Sequence, residues 1–183
     1  MSKVIIRSVA DLSSFSSKES IVDQVKEIFF LQSNKKTFEN DLEKNKFFNR
    51  WLNVYIKNFP DQFYLALKEE KVLGYLCYCQ DTMAFIHKFG SLGGQEYFQN
   101  EMIDFPAHLH INVRTPGMGI GELLMNYTCE KLHRDNITGV HIITSPDSLN
   151  VSFYKRHDFN FTQAHTLKDG VELFFMGRVL QNQ

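Results

Sequence analysis

The sequence that most constrains the fold runs from residue 107 to residue 127: "AHLHINV", then "RTPGMGIGELLMNY". A short alternating segment reads as a strand, three glycines fall within five positions, and an apolar helical pattern follows to about residue 134. Glycines that open a helix after a strand leave unpaired backbone N–H groups at the positive end of the helix dipole. Such a place accepts an anion, most often a phosphate. Glycine suits it because a side chain would hold the ligand off the backbone and forbid left-handed dihedrals. The plainer alternative is a tight turn that lets the helix pack closely on a sheet. Two familiar phosphate loops do not fit: a P-loop ends in Gly-Lys-Ser/Thr, whereas this loop ends Gly121-Glu122-Leu123. A dinucleotide fingerprint needs G-x-G-x-x-G, and the spacing here is G-x-G-x-G.

The alternation continues with a strand "GVHIITS" and a helix to about residue 157. Two further strands, "FNFTQAHTL" and "VELFFMGRVL", flank a "KDG" turn. In the first half, "KVIIRSV" reads as a strand. A helix follows, with Ser16 and Glu19 at capping-box spacing and Ile21, Val25, Ile28 and Phe29 on one face. A second helix is expected over 38–59, with Trp51, Tyr55 and Phe59 along one side, ended by Pro60. A hairpin turns at Lys68–Lys71. Residues 81–106 are the least regular, with a flexible "GSLGG" turn and a short helix at "QEYFQNEM"; a connection of that length is either a binding loop or an elaborated surface loop. The sum is an α/β (α+β) chain with a mixed sheet and helices on both faces.

At 183 residues, 43% apolar and 22% charged, the chain suits one globular domain spanning 1–183. A formal charge of −1 without a block of like charges argues against a nucleic-acid surface. The cysteines, Cys77, Cys79 and Cys129, have no metal-ligand spacing, and two neighbours on one face of one strand make a poor disulfide. Reduced thiols, no membrane span and no signal segment lead to the expectation of a cytoplasmic protein. No metal site is expected.

"LHINVRTPGMGIGELLMNYTCEKL" resembles motif A of the GNAT superfamily, the acyl-CoA-dependent N-acyltransferases, in which a strand leads to Arg/Gln-x-x-Gly-x-Gly/Ala and a helix. "GVHIITSPDSLNVSFYKRHDF" is similar to its motif B, a strand, a capping residue and an "FY" helix. The resemblance covers residues 107–160. It implies a GNAT-like sheet of about seven strands with splayed central parallel strands, here 107–113 and 139–145. It further implies acetyl-CoA as co-substrate and transfer of the acetyl group to a primary amine by direct attack in a ternary complex, the amine belonging to a small molecule or a protein lysine. The alternative is a non-catalytic acyl-CoA-binding or sensing module. An unrelated nucleotide-phosphate binder would use the same helix N-terminus.

The resemblance implies pantetheine contacts from the backbones of Ile111 and Val113, and pyrophosphate contacts from the backbone N–H groups of Met118, Gly119, Ile120, Gly121 and Glu122. With Gly119 and Gly121 on the family's small positions, Pro116 stands where Arg or Gln is usual. A register two residues earlier would use Arg114, Gly117 and Gly119. The first is preferred because it carries Ile120, Leu123, Leu124 and Tyr127 onto the buried helix face. Arg114, Lys155 or Arg156 would then supply the missing cation. Asp147 falls near the cofactor at a capping position, and Asp158 replaces the usual Gly before Phe159. Tyr154, of the "FY" pair, is implied as proton donor to the departing thiolate. His110 and His108, which share a strand face with Asn112, are candidate bases; Glu96, Glu101 and Asp104 are rivals. The acceptor pocket would involve residues 17–59 and 81–106, with Trp51, Tyr55 and Phe98 as aromatic wall or plain core. Proteins of this kind often form homodimers.

Overall fold

The computed structural model describes residues 3–14 and 18–180. Ser16, half of the expected capping box, lies outside them. Seven strands form one mixed sheet: β1 (Ile5–Ser8), β2 (Phe63–Lys68), β3 (Lys71–Cys79), β4 (Ala107–Val113), β5 (Gly139–Thr144), β6 (Phe161–Thr166) and β7 (Glu172–Val179), hydrogen-bonded in the order β1-β2-β3-β4-β5-β7-β6. The helices that flank it are α1 (Lys18–Gln32), α2 (Asp41–Phe48), α3 (Val54–Asn58), α4 (Thr82–Phe89), α5 (Glu101–Asp104), α6 (Ile120–Arg134) and α7 (Val151–Arg156). All neighbouring pairs with a described register are antiparallel except β4 and β5. Their parallel register comprises Ala107↔Val140 and His108↔His141. No helix among the described residues is long and apolar enough to cross a membrane.

The chain divides into two compact units, one made of the residues up to Tyr78 with His110–Thr128, the other of Cys79–Leu109 with the residues from Cys129. In the first, β2 is buried on both faces from Phe63 to Leu67, and α1 buries Ile21, Val25, Ile28 and Phe29, the face its spacing predicted. The expected helix over 38–59 is interrupted. After α2 the backbone widens into a π-helical turn over Asn49–Asn53, which carries Trp51, before α3 resumes. Phe59 has left the helix, with φ −136°.

In the second unit, Phe98, Met102, Phe105 and Phe175 form the core, with Ile86, Ile143 and Leu173 packed against it. Phe105 packs against two glycines: a Cβ on Gly139 or Gly177 would stand 2.8 Å from its ring. Residues 81–106 are more regular than expected. Asp81 caps α4 by accepting from the Ala84 N–H at 2.9 Å, and Gly90 ends it at φ +81°. The Thr82 N–H then donates to the Pro106 carbonyl at 2.9 Å, tying the start of α4 to the start of β4.

Candidate functional site

In the first unit, β4 leads through residues 114–119 into α6. Gly117 and Gly119 have φ of +80° and +73°, and a Cβ on either would meet nothing within 4 Å. Glycine is therefore required here by dihedral, not by crowding. Residues 115–119 are exposed, so the backbone of the loop faces solvent. The helix begins at Ile120, with Gly121 inside its first turn. The N–H of Leu123 already donates to the Gly119 carbonyl at 3.0 Å; those of the residues before it belong to the first helical turn, where no intrahelical carbonyl exists for them.

A third glycine, absent from the sequence reading, sets how close this loop comes to the sheet. A Cβ on Gly74 in β3 would lie 2.9 Å from the Asn112 carbonyl oxygen, 3.0 Å from Val113 and 3.1 Å from Ile120. The Arg114 N–H donates to the Leu73 carbonyl at 2.8 Å, which fastens the end of β4 at the same level. A lone glycine inside an apolar strand is the signal that would have found this close approach.

The buried stripe of α6 is Ile120, Leu124, Met125, Thr128, Cys129 and Leu132. Leu123 and Tyr127, expected on it, are 40% and 38% exposed, whereas Ile120 is 8% exposed and Leu124 fully buried. The period was right and the phase about 100° off, the angle of one residue. Tyr127 instead meets Tyr64 edge-on at 4.9 Å.

Arg114 does not reach toward the loop. Its guanidinium pairs with Glu27 at 3.2 Å and its Nε donates to the Val72 carbonyl at 3.3 Å. Its guanidinium is thus engaged at Glu27 and Val72, while the burial of Leu123 and Tyr127 that favoured the later register is not what the helix shows. The Val113 carbonyl accepts from the Gln32 amide at 2.9 Å. Ile111 and Val113 are both half-buried.

His110 and Asn112 do share a face: Asn112 Nδ2 lies 3.2 Å from His110 Nε2 and donates to the Tyr75 hydroxyl at 2.7 Å. The imidazole faces Phe29 and Tyr75, with ring centroids at 6.5 and 6.1 Å. Enclosure among these rings pushes His110 down to about 4, so the ring is neutral at physiological pH. Burial raises the Tyr75 phenol well above its ordinary range.

The second unit holds the other expected residues. His108 is buried, its Nδ1 at 2.8 Å from the Thr82 hydroxyl, and Phe85 stands edge-on at 5.0 Å. The Thr82 hydroxyl also donates to the Pro106 carbonyl at 2.7 Å. These bonds make His108 a buried tie between β4 and α4. Tyr154 is buried in α7, its ring edge-on to Phe153 and Phe159 at 5.4 and 5.3 Å, and burial pushes its phenol well up. Asp147 is exposed and accepts from the Ser145 hydroxyl; it caps nothing, because the N-cap of α7 is Asn150. Lys155 and Arg156 are exposed. Asp158 has φ +62°, the left-handed conformation that explains why glycine is usual there. Phe98 is core in this unit and Tyr55, packed on Phe59 at 6.1 Å, is core in the first, while Trp51 remains half-buried. No group of three or more His, Cys, Asp or Glu suited to a metal occurs among the described residues.

No protein-family model matches the sequence, and no curated protein matches it. Solved structures do match over nearly the whole chain. A protein named SsHAT superposes with a TM-score of 0.71 at 15% identity, covering 98% of this chain and 100% of its own. The PaiA N-acetyltransferase of Thermoplasma acidophilum, solved with coenzyme A, gives 0.59 at 12% identity, covering 97% and 99%. A GNAT-family acetyltransferase of Streptococcus pneumoniae gives 0.55 at 14%, covering 98% and 100%. Strand order, a parallel pair at β4 and β5 where the other described registers are antiparallel, and full-length likeness converge, and the fold this chain adopts is that of the GNAT N-acetyltransferases.

Proposed function

We propose that the protein is an N-acetyltransferase that moves the acetyl group of acetyl-CoA to a primary amine by direct attack in a ternary complex. The observation that carries this reading is the loop: two left-handed glycines, exposed backbone and the open N-terminus of a 15-residue helix, in a GNAT fold. The PaiA enzyme of the same fold was solved with coenzyme A.

The N–H groups of Met118 to Glu122 grip the pyrophosphate without a cationic side chain in place of Pro116, so the backbone and the helix dipole supply most of the attraction. The N–H of Val113 and the backbone of Ile111 serve the pantetheine. In the reaction the amine nitrogen bonds to the thioester carbon, the C–S bond breaks, one proton leaves the nitrogen, and the sulfur departs as thiolate. His110 is the strand histidine suited to receive the proton, since His108 is committed to Thr82. A base lowered to about 4 takes a proton only from a strongly acidic donor. The nitrogen of the tetrahedral adduct, cationic after attack, is a stronger acid than a free alkylammonium and so the better matched donor. Tyr154 serves the thiolate. With its phenol pushed up it stays in the O–H form, and it acts by donating a hydrogen bond more than by full transfer.

The test is release of coenzyme A thiol on mixing with acetyl-CoA and a panel of primary amines. Amine-dependent thiol release is expected, abolished by Gly119→Val through loss of acetyl-CoA affinity and lowered at unchanged affinity by Tyr154→Phe. Acetyl-CoA binding without release for any amine would favour the sensing module instead.

A further inference from the structure

The polar cluster of the first unit contains more than a histidine. Asn112 stands between Tyr75 and His110, and both bonds are made by the same nitrogen: Nδ2 to the Tyr75 hydroxyl at 2.7 Å and Nδ2 to His110 Nε2 at 3.2 Å. An amide nitrogen carries two hydrogens, one for each partner. If one points at Nε2, that nitrogen must present its lone pair, and the single proton of the neutral ring sits on Nδ1. Tyr75 is fully buried and stacked on Phe63 at 5.4 Å, which makes it a fixed anchor. Phe29 and Tyr75 face the imidazole ring, and Asn112 is two residues along the same strand.

We infer that Asn112 is a positioning residue that, anchored on the Tyr75 hydroxyl, holds His110 in the Nδ1–H tautomer with the Nε2 lone pair directed into this cluster. The tautomer follows from the amide's two bonds in this cluster and a neutral ring; its catalytic consequence rests on the acetyltransferase reading. In that reaction the Asn112 N–H gives up its place at Nε2 to the tetrahedral adduct, whose proton Nε2 receives; without Asn112 a smaller share of the rings offers a bare Nε2. An amide turned the other way would reverse every bond: the Asn112 oxygen would accept from Nε2–H and from the tyrosine hydroxyl. The two arrangements differ in which ring nitrogen carries hydrogen, and that is measurable.

The experiment is nitrogen-edited NMR of the histidine side chains in the free, full-length protein at neutral pH, with the His110 signals identified by their loss in His110→Gln. The wild-type protein is expected to show Nδ1 protonated and Nε2 bare. In Asn112→Asp a carboxylate can only accept, so the proton is expected on Nε2; in Asn112→Ala the bias toward Nδ1–H is expected to disappear. In the thiol-release assay Asn112→Ala is expected to lower kcat about twofold, as the share of rings with a bare Nε2 falls, with KM for acetyl-CoA unchanged. An Nε2–H tautomer in the wild-type protein, or one unchanged in both variants, overturns the inference. If the tautomers behave as stated but no amine yields thiol, the acetyltransferase reading fails and the role of Asn112 in setting the tautomer stands.

Discussion

Asp158 occupies a position that the backbone reserves for glycine. Its φ of +62° places its Cβ against the neighbouring peptide, and its carboxylate, 73% exposed and 4.0 Å from Arg178, earns little in return. Asp158→Gly is therefore expected to leave the fold unchanged and raise stability by about 0.5 kcal/mol or more, whereas Asp158→Val lowers it by about 1–2 kcal/mol; urea denaturation reads both. His141 is a second residue whose setting sets a measurable property. Its Nδ1 lies 2.6 Å from the Phe105 carbonyl, its ring stacks on Phe175 at 4.7 Å, and its Nε2 is buried with no partner among the described residues. Burial pushes it down to about 4. The unfolded chain takes up a proton near pH 6.5 that the native protein refuses. The stability due to neutral His141 is thus full above 6.5 and is lost as the pH falls toward 4, at up to about 1.4 kcal/mol per pH unit. Denaturation at pH 7, 6 and 5 measures the slope, and His141→Phe is expected to make it shallower.

At the scale of elements, two glycine contacts decide how strands and helices approach. In the first unit Gly74 lets β3 come against the Asn112 carbonyl and the first residue of α6. Gly74→Ala brings a methyl to 2.9 Å from a backbone oxygen that cannot rotate away. The expected loss is about 1–3 kcal/mol, with weaker acetyl-CoA binding because the loop is displaced; Gly74→Val is expected to be worse on both counts. In the second unit Phe105 fills the space that Gly139 and Gly177 leave open. Phe105→Ala is expected to cost about 3–5 kcal/mol, read by thermal or chemical denaturation. α4 carried its own signals, Asp81 at the N-cap, Phe85 and Phe89 four apart, and Gly90 after the end. They are local, but the glycines that follow make the whole stretch look irregular by pattern. The phase of α6 was a different failure. Leu123 and Tyr127 repeat at the same spacing as Ile120 and Leu124, and only the neighbours of the helix show which stripe is covered.

For the whole molecule, the expected ligand response is global stabilisation. Acetyl-CoA at about 100 times its dissociation constant should add about 2.7 kcal/mol and raise the melting temperature, coenzyme A should do likewise, and ATP at the same concentration should not. A shift with ATP alone would point to the nucleotide-phosphate binder. Much of the fold was legible in the residues: the strand at 107–113, the helix from the glycine loop to Arg134, the hairpin of β2 and β3 and the two closing strands all fall within a residue or two of where pattern and turn chemistry put them. These features are local, and dihedral preference and period 2 or 3.6 write them into short stretches of sequence. The glycines at 117 and 119 belong to the same class, because a left-handed dihedral is a property of one residue. What the sequence could not determine is who meets whom across distance. That Asn112 binds Tyr75, that Gly74 shelters the start of α6, that Arg114 is taken by Glu27 and His108 by Thr82, all join residues at least 26 positions apart. Such pairings follow from the packing of a whole core at once, and only the tertiary structure decides them.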